Sequence, residues 1–317
     1  MTTKRAILLT GLLLTIFIVF LLTDSEHKKN IIIPSENTPD NDSIFPENWF
    51  VSKIIDVTPG KLLCITSCNN GNIAAGGDSF IMMYDSEFNI LWVKITELPV
   101  TALCAGDDLI FAAVRESVLL FDYQGNISGE WDLYMPGSYF TCISSNNKYV
   151  VLADAANKSV IITDKNGAAR YVINGETGSF IIPSLYFDAH IDSSDLLYIA
   201  NTGRKRIEKR RLDGTIIKWF GDSGSDADSF SGCCNPSHFV LYDNGYITSE
   251  KGINRIKILD ENGKFVEFVS NKNSFAPGVP LDIYVARKDL VYGANPYDSK
   301  IYVFNRKQIN TFNQAGI

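Results

Sequence analysis

Short apolar runs alternate with polar turns along most of the chain, from about residue 60 to residue 307. Runs such as VEFV at 266–269 and KIYVF at 300–304 are typical of β-strands. The Asn, Asp, Gly and Ser residues between them suit tight turns. Because no long segment has the periodicity of an amphipathic helix, the pattern predicts an all-β protein.

The strand-like runs recur in groups of four, and each group has a polar residue just after an apolar run. These residues recur at intervals of 37 to 49 positions. They are Asp85, Asp122, Asp164, Asp213, Asp260 and Asn305. A unit of this length with four strands is the signature of a β-propeller blade. Six units therefore predict a six-bladed β-propeller.

The sequence also predicts how the ring closes. Residues 49–57 (WFVSKIIDV) form a strand-like run ahead of the first complete unit, whereas the sixth unit, 281–307, is short at its end. An open sheet edge would remain available for pairing with other chains. We therefore expect the early run to supply the outer strand of blade six.

Blade four carries a more specific motif. It reads YIANTG at 198–203, Arg-Ile at 206–207, Asp-Gly at 213–214 and Phe-Gly at 220–221, and blade five repeats much of it at 248–263. These residues resemble the unit of NHL-repeat propellers, closely in two blades and only in strand rhythm in the other four. A WD40-type ring is less favoured, because its recurrent Gly-His and Trp-Asp pairs are lacking.

The N-terminus predicts a membrane anchor. Residues 6–22 are an uncharged apolar run of 17 residues after Lys4 and Arg5, just long enough to cross a bilayer core. No small-x-small cleavage pattern follows, so an uncleaved signal anchor is favoured over an export signal. We therefore divide the chain into a cytoplasmic tip and transmembrane segment at 1–23, a flexible stalk at 24–47 and a propeller at 48–317. The propeller would lie on the extracytoplasmic, periplasmic side.

Charge limits the class of partner. The net charge of −7 argues against a nucleic-acid role, because binding phosphates needs a basic face. One basic run exists at 204–211, in RKRIEKRR. Its simplest interpretation is a solvated strand with Ile207 pointing inward, and the alternative is a patch for an anionic ligand or partner.

The six cysteines fall into two groups. Cys64, Cys104 and Cys142 lie on the first strand of blades one to three, where we expect buried free thiols. Cys68 is free or weakly paired. Cys233 and Cys234 are adjacent within the polar connection 221–237, where they form a strained vicinal disulfide, remain two thiols, or serve a metal or an intermolecular bond.

In propellers of this type, the loop that leads into a blade lies on the same face as the loop between that blade's second and third strands. This rule predicts a mouth at blades four and five. Its candidate binding residues are Cys233, Cys234, Asn235, His238, Glu250, Lys251, Asn201, Arg204 and Arg206. The alternative is that Glu250 and Lys251 form an exposed turn and that His238 is a satisfied buried histidine.

No enzymatic chemistry is specific enough to assign. A zinc site is disfavoured because only His190 and His238 lie within the ring. Asp188, Asn201 and Glu250 offer oxygen atoms of the kind that calcium binds, but their pattern is not specific for a calcium site. We assign no catalytic residue, metal or cofactor, and predict a membrane-tethered module that binds an envelope protein or a small or anionic ligand. The alternative is an extracytoplasmic oxidoreductase with a quinone over Cys233 and Cys234, or a metal-dependent hydrolase.

Overall fold

The computed structural model describes residues 46–132, 135–271 and 274–307. Across these ranges, 24 strands form six four-stranded antiparallel sheets, so the predicted six-bladed propeller is confirmed. The anchor predicted at 6–22 lies outside the described residues. Within the described ranges, no helix is long and apolar enough to cross a membrane.

Each blade runs from an inner to an outer strand. Blades one to three comprise β2 (Leu62–Ser67), β3 (Ile73–Gly77), β4 (Phe80–Tyr84), β5 (Ile90–Ile95), β6 (Val100–Ala105), β7 (Leu109–Val114), β8 (Ser117–Asp122), β9 (Ile127–Trp131), β10 (Phe140–Ser145), β11 (Tyr149–Asp154), β12 (Ser159–Asp164) and β13 (Ala169–Ile173). Blades four to six comprise β14 (Ala189–Ile191), β15 (Leu197–Asn201), β16 (Arg206–Arg210), β17 (Ile216–Phe220), β18 (His238–Tyr242), β19 (Gly245–Ser249), β20 (Ile256–Leu259), β21 (Phe265–Ser270), β22 (Asp282–Arg287), β23 (Leu290–Asn295), β24 (Lys300–Arg306) and β1 (Trp49–Asp56). A helical turn, α1 (Gly175–Gly178), and a 3-10 turn (Thr202–Arg204) lie in loops.

The predicted closure is confirmed. Strand β1 pairs antiparallel with β24, from Trp49 opposite Arg306 to Asp56 opposite Lys300, and is the outermost strand of blade six. Trp49 is buried, and its indole nitrogen donates to Glu267 Oε1 of blade five at 3.2 Å. The N-terminal strand therefore joins the end of the ring and also contacts the neighbouring blade.

The core lies between the blades. Six clusters of buried apolar side chains occupy the six blade junctions. At the junction of blades four and five, Phe220, Phe230, Phe239 and Tyr246 pack together. Each sheet thus hides its apolar faces only against its neighbours, which is the physical reason why the repeats form a closed ring.

The alignment of the repeat turns holds in four blades and is wrong in two. Asp85 Oδ1, for example, accepts backbone N–H bonds from Glu87 and Asn89. In blade four the equivalent backbone position is Arg211, whose N–H donates to Thr215 O at 3.0 Å, so Asp213 lies two residues late. Asn305 lies inside β24 rather than in a turn, because blade six continues into β1 without a hairpin.

The basic run of blade four is only partly solvated. Ile207 is buried, as expected, but Arg210 is buried too. Its guanidinium forms an ion pair with buried Glu208 and donates to Gly178 O and Gly214 O. The expectation of a solvated strand therefore holds for the exposed Arg204 and Arg211 but was wrong for Arg210, because the sequence does not show that Glu208 faces the same junction.

The inner strands bring thiols and hydroxyls to the central axis. Cys64, Cys104 and Cys142 lie on β2, β6 and β10, and all three are free, as predicted. Cys64 and Cys142 are also buried as expected, whereas Cys104 is only partly buried. Cys68 is also free and buried. Side chains link neighbouring blades here: Thr101 Oγ1, for example, donates to Phe140 O at 2.6 Å.

Candidate functional site

Two loops meet on one face of blades four and five, as the antiparallel topology requires. The connection 221–237 leads into β18, and residues 250–255 join β19 to β20. We use the name cysteine rim for the surface formed where they meet. It consists of Tyr186, Lys205, Cys233, Cys234, Asn235 and Lys251.

Asn235 fastens the two loops together. Its side-chain nitrogen donates to Ser231 O at 2.6 Å and to Lys251 O at 2.8 Å. Its side-chain oxygen accepts from Lys251 N at 2.9 Å and from Ser237 Oγ at 2.9 Å. Because Asn235 is fully buried, losing these bonds would leave polar groups without water to replace them. The meeting of the cysteine loop with Lys251 was predicted, and this clamp is its physical cause.

The first half of the same connection is held by blade five. Arg255 donates to the carbonyls of Ser225, Asp226 and Ser229 at 2.8–3.1 Å. Lys257 Nζ donates to Ala227 O and Ser229 O at 2.9 and 2.6 Å. A polar loop of this length would otherwise pay a large ordering entropy. These bonds therefore preorganise the rim.

The rim combines sulfur with positive charge. Cys233 is exposed and Cys234 is buried, and their unbonded Sγ atoms lie 3.0 Å apart. Lys251 Nζ lies 4.7 Å from the centre of the Tyr186 ring, in cation–π contact. Burial opposes ionisation of Cys234, but the neighbouring Cys233 and Ser184 side chains and the charge of Lys251 outweigh it and lower the pKa of Cys234. The rim therefore places an exposed and a buried thiol beside a positive charge.

Two of the residues predicted at the mouth of blades four and five are buried instead. Glu250 is buried in an ion cluster with Arg255 and Lys257, at 3.0 and 2.9 Å. Asn201 is buried in blade four, where it accepts from Ile181 N at 3.0 Å and donates to Glu208 Oε1 at 3.1 Å. Both were expected at the mouth, and both are structural, because the sequence does not show the buried partners that draw them inward.

The two arginines differ from each other. Arg204 is exposed and its Nε donates to Ser179 O at 3.3 Å. Arg206 forms an ion pair with Glu208 and covers the Trp219 ring at 4.7 Å. The basic residue that reaches the cysteine loop is Lys205, which the sequence-based set omitted and whose ammonium donates to Gly232 O.

His238 lies deeper, at the opening of the central channel. Its ring meets Tyr186 edge-on, with the centroids 5.6 Å apart. Its Nδ1 lies 3.3 Å from Asp188 Oδ2 of blade four and 3.9 Å from Asp282 Oδ1 of blade six. Burial opposes protonation, but these two carboxylates outweigh it and raise the pKa of His238. Burial also raises the pKa of Asp282 to about 6.

The channel below this histidine is a cavity of about 320 Å³ lined by the inner strands of all six blades. Cys142, Asp188 and His190 lie on its wall, with one potential ligand atom from each within 4.8 Å of the others. Burial, the largest influence, lowers the pKa of His190. From the sequence, Asp188 was weighed as a calcium ligand, His190 as a zinc ligand and Cys142 only as a buried free thiol. Asp282 and Tyr186 had no predicted role. One signal was available, a carboxylate beside a histidine in the apolar strand FDAHI.

Comparisons with solved structures agree on the fold. The chain is similar to the WD40 domain of Pan2 from Neurospora crassa (11% identity, TM-score 0.56, covering 84% of this chain and 98% of that one) and to the WD40 propeller of Doa1 (11%, 0.56, 82% and 98%). It is also similar to a catalytically inactive virginiamycin B lyase from Staphylococcus aureus with quinupristin (15%, 0.55, 79% and 82%). No protein-family model and no curated protein matches the chain. At these identities the likeness establishes a β-propeller and nothing finer.

Proposed function

We propose that the protein is a membrane-tethered, extracytoplasmic propeller of NHL type that binds a protein or ligand partner through the cysteine rim. One observation carries this proposal: Asn235 locks the cysteine loop to Lys251 before any partner arrives. A preorganised surface loses little entropy on binding. Propellers commonly serve as rigid scaffolds whose loops carry the contacts.

The surroundings of the rim favour a partner with apolar and acidic groups. Ile181 and Leu185, in the connection that leads into blade four, are 47% and 54% exposed. Arg204, Lys205 and Lys251 supply positive charge on the same face. A protein segment with a carboxylate beside an aliphatic side chain would satisfy both features.

The apolar run at 6–22 supports the membrane tether. Full-length protein should remain with the membranes after alkaline carbonate extraction, and an added protease should digest the propeller only once the outer permeability barrier is opened. Release into the soluble fraction would contradict the tether without affecting the rim.

Photocrosslinking from Cys233 tests the rim in cells. A thiol-reactive photoprobe on Cys233 should give an adduct of defined mass. The matched control places the same probe on Asn244→Cys in a Cys233→Ser background, because the β18–β19 turn lies on the opposite face of blade five. Equal adducts from both positions would contradict the proposal. A stoichiometric chromophore in the purified protein would instead favour the quinone-dependent oxidoreductase.

A further inference from the structure

The strongest unassigned feature is the group formed by Cys142, Asp188 and His190. Cys142 lies on β10 of blade three, and the other two residues belong to the inner strand region of blade four. Cys142 Sγ lies 3.9 Å from His190 Nε2. Two ligands at ordinary zinc distances in a tetrahedron are about 3.6 Å apart. The Cys142 and His190 atoms are therefore spaced almost as a tetrahedral zinc ion requires, and one ligand atom of Asp188 lies within 4.8 Å of those of the other two residues.

Asp188 provides an independent indication of a ligand. Its Oδ2 accepts from Phe239 N at 3.1 Å and lies 3.3 Å from His238 Nδ1. Its Oδ1 is buried and has no hydrogen-bond partner among the described residues. A buried carboxylate oxygen without a partner is costly. A cation at this position would remove that cost.

We propose that Cys142, Asp188 and His190 bind a transition metal ion, with Zn²⁺ the best fit. Sulfur, imidazole and carboxylate ligands together suit Zn²⁺, whereas Mg²⁺ and Ca²⁺ prefer sites made of oxygen. Three protein ligands leave one coordination position open. That position would face the channel cavity and accept a water molecule or a donor group of a ligand that enters it.

The neighbours of this site are those that a metal needs. His238 contacts Oδ2 of Asp188 and leaves Oδ1 free. His238 thus orients the carboxylate without binding the metal itself. The carboxylates of Asp188 and Asp282 add negative charge beside the site, which a divalent cation would offset. This proposal does not depend on the cysteine rim, because none of its three ligands belongs to the rim.

Metal titration of the full-length protein tests the proposal. After treatment with a chelator, the protein should bind one equivalent of Zn²⁺. Co²⁺ in its place should give the charge-transfer absorption of a thiolate ligand. Cys142→Ser and His190→Gln should each weaken Zn²⁺ binding by at least about 100-fold, since losing an outer-shell partner alone costs roughly 10- to 100-fold. His238→Gln should show that smaller loss.

Cys64→Ser is the matched control. Cys64 occupies the equivalent position in blade one and donates to Val100 O at 3.4 Å, as Cys142 donates to Ala189 O at 3.4 Å. It should leave Zn²⁺ affinity unchanged, and so should the double variant Cys233→Ser, Cys234→Ser. The proposal is overturned if wild type binds no Zn²⁺, or if the double variant abolishes binding while Cys142→Ser retains it. If Cys142→Ser fails to fold, the cobalt spectrum of the double variant decides: loss of its thiolate band overturns the proposal.

Discussion

Replacing Glu250 with glutamine should destabilise the fold, although the sequence places this residue in a candidate binding site. Glu250 is 1% exposed, and its carboxylate accepts from Arg255 and Lys257, whose side chains are also buried. The substitution removes the negative charge that both cations contact directly. Two buried cations would then share a neutral amide oxygen.

The magnitude follows from the burial of all three groups. Removing one partner of a buried ion pair costs about 3–5 kcal/mol, because the remaining charge stays desolvated. For a propeller of this size, each kcal/mol lowers the melting temperature by roughly 2–4 °C. We therefore expect Glu250→Gln to melt roughly 10 °C below wild type. Arg255 and Lys257 also hold the connection 221–237, so local protection should fall there first.

Thermal denaturation followed by circular dichroism measures this effect. Glu261→Gln is the matched control, because Glu261 belongs to the same blade and is exposed, so its loss should change stability by less than about 0.5 kcal/mol. Equal melting temperatures for Glu250→Gln and Glu261→Gln would refute the reasoning and restore Glu250 as a candidate surface residue.

Three further variants test the remaining contacts. Asn235→Ala removes the clamp and should raise the rate of amide hydrogen exchange across 231–237 at least tenfold. Asn262→Ala, in an exposed turn, should leave that rate unchanged, and equal exchange rates in the two variants would contradict the clamp. Trp49→Ala should lower the free energy of unfolding in urea by about 3–5 kcal/mol. Phe50→Ala, on the exposed side of β1, should lower it far less, and equal losses of stability would contradict closure through a buried Trp49. Burial lowers the pKa of Lys257 from 10.5 to about 8. Between pH 8 and pH 10.5 the unfolded chain therefore binds one more proton at Lys257 than the folded protein does. The contribution of Lys257 to the free energy of unfolding rises with pH in this range. The stability advantage of wild type over Lys257→Met should therefore widen from about pH 8 to pH 10 in urea unfolding, and a constant or shrinking advantage would contradict the assignment.

The propeller ring could be predicted from the sequence because the residues that define each blade lie close together along the chain. Strand-like runs, turn residues and their spacing define each blade, and the unpaired run at 49–57 matched the missing outer strand of blade six. The turn of blade four was misaligned, because an aspartate two residues late can still cap a turn: Asp213 Oδ1 accepts from Thr215 N at 2.9 Å. Hydrogen-bond register, rather than residue type, identifies Arg211 as the equivalent position.

The meeting of loops at the candidate site was predicted where one loop rule sufficed, and residue placements were missed where side-chain direction mattered. The rule placed the cysteine loop against Lys251. It could not show that Glu250, the preceding residue, turns inward toward Arg255 and Lys257. The channel group was missed because Cys142 and His190 are 48 positions apart in sequence and meet only through the packing of two inner strands.

The central claim, that the cysteine rim is the contact surface, is tested most directly by the yield of partner crosslinked from Cys233 in two lysine variants. Lys251→Ala removes the ammonium beside the thiols and keeps the backbone groups that Asn235 holds. Lys158→Ala removes an exposed ammonium from the equivalent loop of blade three on the same face. We predict at least a tenfold loss of adduct in Lys251→Ala and an unchanged yield in Lys158→Ala. Equal yields from both variants would contradict the account.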